Sequence, residues 1–147
     1  MEALQMHPES FSSSYEEEKE YPLEPFLSRL QAKNSFTFGV FENSQLYGIA
    51  TLVMENKIKL KHRAHIYSVY VARDKRGRGY AKNLMLQMIK KAKSMKGIEQ
   101  IHLTVASTNE AAKNLYTALE FKTYGIQKQA LKIQDEYFDE ELMCYFF

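Results

Sequence analysis

The stretch "YVARDKRGRGYAKNLM", Tyr70 to Met85, constrains the fold more than any other part of this 147-residue chain. An apolar run ends in a charged turn holding Gly77 and Gly79, and helical spacing begins at once, with Ala81, Leu84, Met85, Met88 and Ala92 recurring on one face. A strand that turns through glycines into a helix aims consecutive backbone N–H groups at one spot. The helix dipole adds about half a positive charge there. Glycine lets the backbone meet an anion where a side chain would obstruct. The stretch therefore predicts a phosphate-holding turn.

Charge distribution agrees with an anionic ligand. The formal net charge is only +2, yet residues 51–100 carry 13 basic and 3 acidic side chains, while the flanking thirds are net acidic. Such a field attracts a nucleic acid, a phosphorylated cofactor or an acidic partner without choosing among them. One cysteine, Cys144, excludes an internal disulfide framework and a cysteine-rich zinc site, and it reads as a core or edge residue. No apolar run approaches the ~20 residues of a membrane span, and "MEALQMHPES" has no signal-peptide pattern. The expectation is one cytoplasmic domain over residues 1–147, with no membrane partner.

Around the turn, the periodicities predict the other elements. Ser12 to Ser14 can cap a helix whose first turn holds Glu16 to Glu18, and Pro22 and Pro25 open a second with Phe26, Leu27 and Leu30 on one face. "SFTFGVFENSQLYGIATLVME" reads as a hairpin turning at Glu42 to Gln45. In "KIKLKHRAHIYSVYVA", Lys57, Lys59, Lys61 and Arg63 alternate with Ile58, Leu60 and His62. This predicts a strand whose first face is basic and whose later part, Ile66 to Val71, enters the core. The helix after the turn is expected to end at Gly97. "IEQIHLTV" reads as a buried strand and "STNEAAKNLYTALEF" as a helix with a Ser107–Glu110 capping box and Ala112, Leu115, Tyr116 and Leu119 inside. Two long strands follow, turning near Gln134 to Glu136. The order β-β-β-α-β-α-β-β predicts one mixed α/β sheet with helices on both faces.

Two familiar phosphate loops fail: no Lys-Ser/Thr pair follows the last glycine, and the third glycine and distant acid of a dinucleotide fold do not fit. A third pattern fits. Arg76, Gly79 and Ala81, in an Arg-x-x-Gly-x-Ala arrangement after a strand, resemble the pyrophosphate loop of the GNAT superfamily of acetyl-CoA-dependent N-acetyltransferases. Asn109, Ala112, Leu115, Tyr116, Leu119 and Phe121 are similar to that family's following helix, and "EYFDEELM" to its last strand, as in bacterial members. The resemblance covers roughly residues 10 to 147.

It implies a mostly antiparallel six- to seven-stranded sheet, splayed at the cofactor site. It also implies acetyl-CoA as cosubstrate, with no metal, and direct attack by a primary amine in a ternary complex. Val69, Tyr70 and Val71 would hold the pantetheine arm, and Arg76, Gly77, Arg78, Gly79, Tyr80, Ala81 and Lys82 the pyrophosphate, with Asn109 and Tyr116 also at the cofactor. A backbone N–H near Val71 would serve the oxyanion, Tyr116 would protonate the thiolate, and His65 is the candidate base by ungapped counting from the loop. His65 can equally be a structural strand histidine, as His102 is expected to be. The acceptor, a small-molecule or protein amine, is left open, and a homodimer is possible.

Two departures stand out. Glu120 occupies the position of the family's helix-ending glycine, and the chain is expected to start at or inside the family's first helix, so that either Met1 is not the natural start or the sheet lacks an edge strand. Rival readings are a non-catalytic acyl-CoA-binding regulator and a basic nucleic-acid-binding domain built on "KIKLKHR" and "RDKRGRG", although the latter leaves the Asn109–Tyr116 helix unexplained.

Overall fold

Alternating apolar residues in Phe36–Val40 and the run Ile66–Val71 require strands with a buried face, and a computed structural model describing residues 1–147 places them in one open sheet. Its strands are β1 (Ser35–Glu42), β2 (Gln45–Met54), β3 (Arg63–Val71), β4 (Gln100–Ala106), β5 (Lys122–Ile133) and β6 (Glu136–Phe146), in the order β1-β2-β3-β4-β6-β5. Five helices accompany them: α1 (Glu2–Met6), α2 (Tyr15–Lys19), α3 (Leu23–Gln31), α4 (Tyr80–Lys93) and α5 (Glu110–Ala118). The β1–β2, β2–β3 and β5–β6 pairs are antiparallel, whereas β3 and β4 are parallel through Arg63–His65 and Gln100–His102. This is the mixed sheet that the element order predicts, and it is mostly antiparallel as the family resemblance implies.

The chain divides into two compact units, one of residues 24–102 with 146–147 and one of residues 1–23 with 103–145. In the first, α4 packs on β1, β2 and β3. Its Leu84, Met85, Met88, Ile89 and Ala92 are buried, as are Ala50 and Leu52 of β2 and Ala64 and Ile66 of β3. The helical spacing thus marks the inner face correctly, and its methionines fill core space. In the second unit, Phe121 is 1% exposed, and its ring lies 6.2 Å from that of Tyr116 and 5.5 Å from that of Tyr145. Cys144 is buried there outside any disulfide.

Local chemistry explains the boundaries. Ser14 and Glu17 form the reciprocal capping box that starts α2. Asn43 and Ser44, with φ of 48° and 66°, make the tight β1–β2 turn whose twist suits a hairpin. Three expectations need correction. Residues 57–62 are turns and not strand: Leu60 N–H donates to the Lys57 carbonyl at 2.8 Å and Arg63 N–H to that of Leu60 at 2.8 Å. Alternation alone misleads here because Ile58, at 83% exposed, has no core to enter. Helix α4 stops at Lys93, where the Ser94 hydroxyl donates to the Lys91 carbonyl, and Gly97 (φ 90°) shapes the turn beyond it. The cap of α5 is Asn109, whose side-chain oxygen accepts from Ala112 N–H at 3.1 Å, while Glu110 pairs with Lys113 at 2.8 Å. The Ser107 hydroxyl is buried without a partner. No helix is long and apolar enough to cross a membrane.

Candidate functional site

The glycine turn is built as a cradle of donors. A single 3-10 turn, Arg73–Lys75, follows β3, and then Gly77 and Gly79 take φ of 76° and 80°. A Cβ at either position would meet nothing within 4 Å, so the turn demands glycine for backbone conformation and not for space. Helix α4 has no side-chain cap, and the amides from Gly77 to Lys82 find no acceptor in the protein. A helix start normally satisfies such donors with a capping side chain. Here they point outward at the positive end of a fourteen-residue helix.

Two charged residues beside the cradle also tie it to neighbouring elements. Arg76 donates from Nε to the Val71 carbonyl at 3.0 Å, and its guanidinium lies over the Tyr70 ring at 5.7 Å, tying the turn to β3. Lys75 Nζ lies 2.5 Å from Glu42 Oε2 and over the Tyr47 ring at 4.2 Å. The Tyr80 hydroxyl also donates to Glu42. The Lys75 and Tyr80 hydrogen bonds hold the Glu42 carboxyl below its usual range, and its carboxylate in turn raises both partners. Arg78, with its side chain 54% exposed and Glu42 3.9 Å away, keeps its charge toward solvent. The sequence reading missed Glu42, Tyr47 and the role of Lys75. Glu42 sits 33 residues before Lys75 in the chain, and only the hairpin brings it there.

On β3, Ser68 takes φ of 56°, and the register against β2 shifts between Ile49 and Thr51, opposite Tyr70 and Tyr67. This bulge re-aims Val69, Tyr70 and Val71 relative to the first half of the strand. No glycine marks it, which is why the sequence is silent about it.

His65 lies four residues before Val69 on the same strand. Its ring stacks on Tyr67 and His102, with centroids 5.9 and 5.3 Å away. Its Nε2 lies 3.2 Å from Glu55 Oε1 but off the line of a hydrogen bond, so this buried nitrogen has no hydrogen-bond partner. Burial lowers the His65 pKa below 6.5, opposed by Glu55, so the ring is neutral at pH 7 and able to accept a proton. A cavity of about 300 Å³ opens here, lined by Asn34, Val53, Met54, Glu55, Asn56, Lys57, His65 and Tyr67. His102 keeps to structure, 8% exposed and with Nε2 2.8 Å from Gln100 Oε1.

Asn109 and Tyr116 lie on the α5 side of the other unit. The Asn109 side-chain oxygen is occupied as the helix cap, leaving its Nδ2 free. Tyr116 is 6% exposed, and burial pushes its phenol up to about 12. It therefore keeps its proton throughout the neutral range, as a hydrogen donor must. Helix α5 ends with Glu120 at φ 70°, Glu120 N–H donating to the Thr117 carbonyl and Phe121 N–H to that of Tyr116, both at 3.0 Å. A charged residue thus holds the left-handed position that favours glycine. No group of three or more His, Cys, Asp or Glu side chains is arranged to hold a metal ion.

Comparison with known proteins bears directly on this geometry. The family described as "Acetyltransferase (GNAT) domain" matches residues 2–142. A probable acetyltransferase from Staphylococcus epidermidis is 26% identical with a TM-score of 0.76, the match covering 87% of this chain and 78% of that one. Arabidopsis thaliana NAA60, solved with a bisubstrate analogue, shares the fold at 20% identity and a TM-score of 0.77, covering 99% of this chain and 90% of its own. The ribosomal-protein-S18-alanine N-acetyltransferase from Escherichia coli does so at 19% identity and a TM-score of 0.73, covering 97% and 83%.

Proposed function

Given that this chain belongs to the GNAT acetyltransferase family and is an acyltransferase, we propose that it moves the acetyl group of acetyl-CoA directly onto a primary amine in a ternary complex. The observation that carries the cofactor reading is the run of acceptorless amides from Gly77 to Lys82 at the start of α4. Acetyl-CoA fits such a cradle because its pyrophosphate offers several acceptor oxygens and negative charge to six adjacent donors and the exposed Arg78. The residues past the Ser68 bulge, Val69 to Val71, present backbone groups to the pantetheine arm.

The chemistry then needs three services. The amine must lose a proton, and in this reading His65 takes it, its ring kept neutral by the burial that lowers its pKa. Nitrogen attacks the thioester carbonyl carbon, and a backbone N–H of β3 near Val71 stabilises the resulting oxyanion. As the C–S bond breaks, the nitrogen gives up its second proton to solvent, the thiolate takes the phenolic proton of Tyr116, which burial has kept on the oxygen, and His65 returns its proton to solvent. Tyr116 draws a proton back from solvent afterwards, and no metal is required.

A calorimetric titration with acetyl-CoA, followed by assay of free CoA release over a panel of amines, tests this. Ligand at 100 times its Kd adds about 2.7 kcal/mol to stability and raises Tm accordingly. Equal Tm shifts from NAD and ATP would overturn the cofactor assignment. Tyr116→Phe separates the acid from the packing: acetyl-CoA affinity stays within a few-fold and kcat falls roughly 10²-fold. A normal kcat up to alkaline pH with a lowered Tm would assign Tyr116 to packing alone.

A further inference from the structure

The cavity beside His65 and the basic run "KIKLKHR" are the two features that acetyl-CoA binding leaves unused. The cavity is small, about 300 Å³, which is the lower limit of ligand pockets and suits one amino-acid-sized group. Its lining contains one carboxylate, Glu55, set 3.2 Å from the partnerless Nε2 of His65. Val53 and Met54 supply apolar wall, and Asn34 is fixed by donating from Nδ2 to the Met54 carbonyl at 2.9 Å. A carboxylate beside a neutral imidazole is a place for an ammonium group that must give up a proton.

Outside the cavity the sign reverses. Glu55 N–H donates to the Arg63 carbonyl at 3.1 Å, closing residues 56–62 into a loop on this side of the cavity. Lys57 is part of the lining, and Lys57, Lys59 and Lys61 are all exposed on that loop, none of them in an ion pair. A ligand reaching from Glu55 to the loop meets negative charge first and positive charge beyond it.

We propose that this cavity is the acceptor subsite and that it takes a primary amine carried on an anionic body, with the ammonium on Glu55 beside His65 and the anion toward Lys57, Lys59 and Lys61. The proposal rests on the acetyltransferase reading above and adds the acceptor's charge pattern to it. Glu55 acts as a positioning residue. It holds the ammonium, the His65 imidazole takes one N–H proton, and the freed nitrogen lone pair attacks the thioester carbonyl. The flanking lysines select against a second cation, because like charges brought together raise the cost of binding.

Three amines with the same four-carbon stem read the charge pattern: 4-aminobutanoate, butylamine and 1,4-diaminobutane, each at saturating acetyl-CoA. The expected order of kcat/KM is as written, with roughly tenfold between the first and the last. Lys57→Glu combined with Lys59→Glu, both at exposed loop positions, reverses that order. Glu55→Gln raises KM for all three by roughly tenfold and leaves acetyl-CoA affinity unchanged. A binding readout independent of turnover is the His65 ring resonance, which moves on titration with 4-aminobutanoate in the wild type and does not in Glu55→Gln. Peptides Ala-Glu-Glu-Glu and Ala-Lys-Lys-Lys identify the source of the amine: an acidic peptide preferred over 4-aminobutanoate assigns a protein N-terminus, and the opposite preference assigns a small molecule.

Preference for diaminobutane or the lysine peptide, an order unmoved by the charge reversal, or a His65 resonance indifferent to 4-aminobutanoate would each overturn the proposal. If acetyl-CoA binds but no amine is acetylated, the His65 titration across the three amines decides the subsite by itself, while the acetyltransferase reading fails on its own assay.

Discussion

The two turns that lead from a central strand into a helix are built in opposite ways. Between β4 and α5, Asn109 folds its side chain back onto Ala112 N–H, and Lys113 Nζ donates to the Ser107 carbonyl at 3.0 Å, so the turn supplies its own partners. Between β3 and α4, two glycines at positive φ leave the amides from Gly77 to Lys82 without acceptors. The first turn closes on its own side chains, and the second keeps its donors open. The contrast shows that an uncapped helix start is informative chiefly when the same molecule caps its counterpart.

The largest test of that contrast is Gly79→Asp. The new Cβ meets nothing within 4 Å, so the variant folds at a cost of about 1 kcal/mol for a side chain at φ 80°, while its carboxylate occupies the donors and repels phosphate. Acetyl-CoA affinity should fall by roughly 10³-fold, about 4 kcal/mol, by calorimetry, with Tm lowered by only a few degrees. An unchanged Kd in the folded variant would remove this turn as the phosphate site.

The strands feeding the two turns each carry a histidine, and acid separates them. Burial holds His102 of β4 down from 6.5 to about 4, with Arg63, His65 and His62 adding to the effect. A histidine whose folded pKa lies below its unfolded value contributes stability that is fully present above pH 6.5. That stability is lost as pH falls from about 6.5 to about 4, because the unfolded chain binds the proton first. The loss should reach at most about 3 kcal/mol. His102→Gln should flatten this part of the curve of unfolding free energy against pH; an unaltered slope would trace the acid loss to other groups.

Asn109→Ala should cost the closed turn stability with little loss of ligand affinity, the reverse of the balance expected for Gly79→Asp. Removing the cap costs about 1 kcal/mol in denaturant unfolding. Acetyl-CoA binding should weaken by no more than roughly fivefold, since Nδ2 alone remains to touch the cofactor. A larger loss of affinity than of stability would make Asn109 chiefly a ligand residue.

Glu120→Gly carries the smallest effect and the opposite sign. The left-handed cap of α5 strains a residue with a Cβ, and glycine should relieve roughly 0.5–1 kcal/mol, partly offset by its greater freedom when unfolded. Equilibrium unfolding that shows a loss instead would mean that the Glu120 side chain stabilises the turn more than its backbone strains it.

Much of this was legible before any coordinates. The spacing of Leu84, Met85, Met88 and Ala92 marks the buried face of α4, and Gly77 and Gly79 mark its open start. The Glu42–Gln45 stretch marks the hairpin turn, and the Arg76, Gly79 and Ala81 pattern together with the Asn109–Phe121 helix resembles the family whose domain matches residues 2–142. What local pattern could not carry was burial. The alternation in residues 57–62 has strand period, yet Ile58 is 83% exposed and the segment turns. Ser107 and Glu110 have the spacing of a capping box, yet Asn109, a residue between them, is the one whose backbone reaches the cap position.

Sequence by itself determined those features whose cause is local: glycine where φ is positive, period where a face is buried, charge where a helix begins. The tertiary structure alone decided which distant residues meet. Hairpin closure brings Glu42 to Lys75 and Tyr80, and β2–β3 pairing brings Glu55 to within 3.2 Å of His65. The bulge at Ser68 arises because two residues of β3 must pass one of β2. Each depends on strand register, which is set by the sum of packing across the sheet and leaves no mark at any single position.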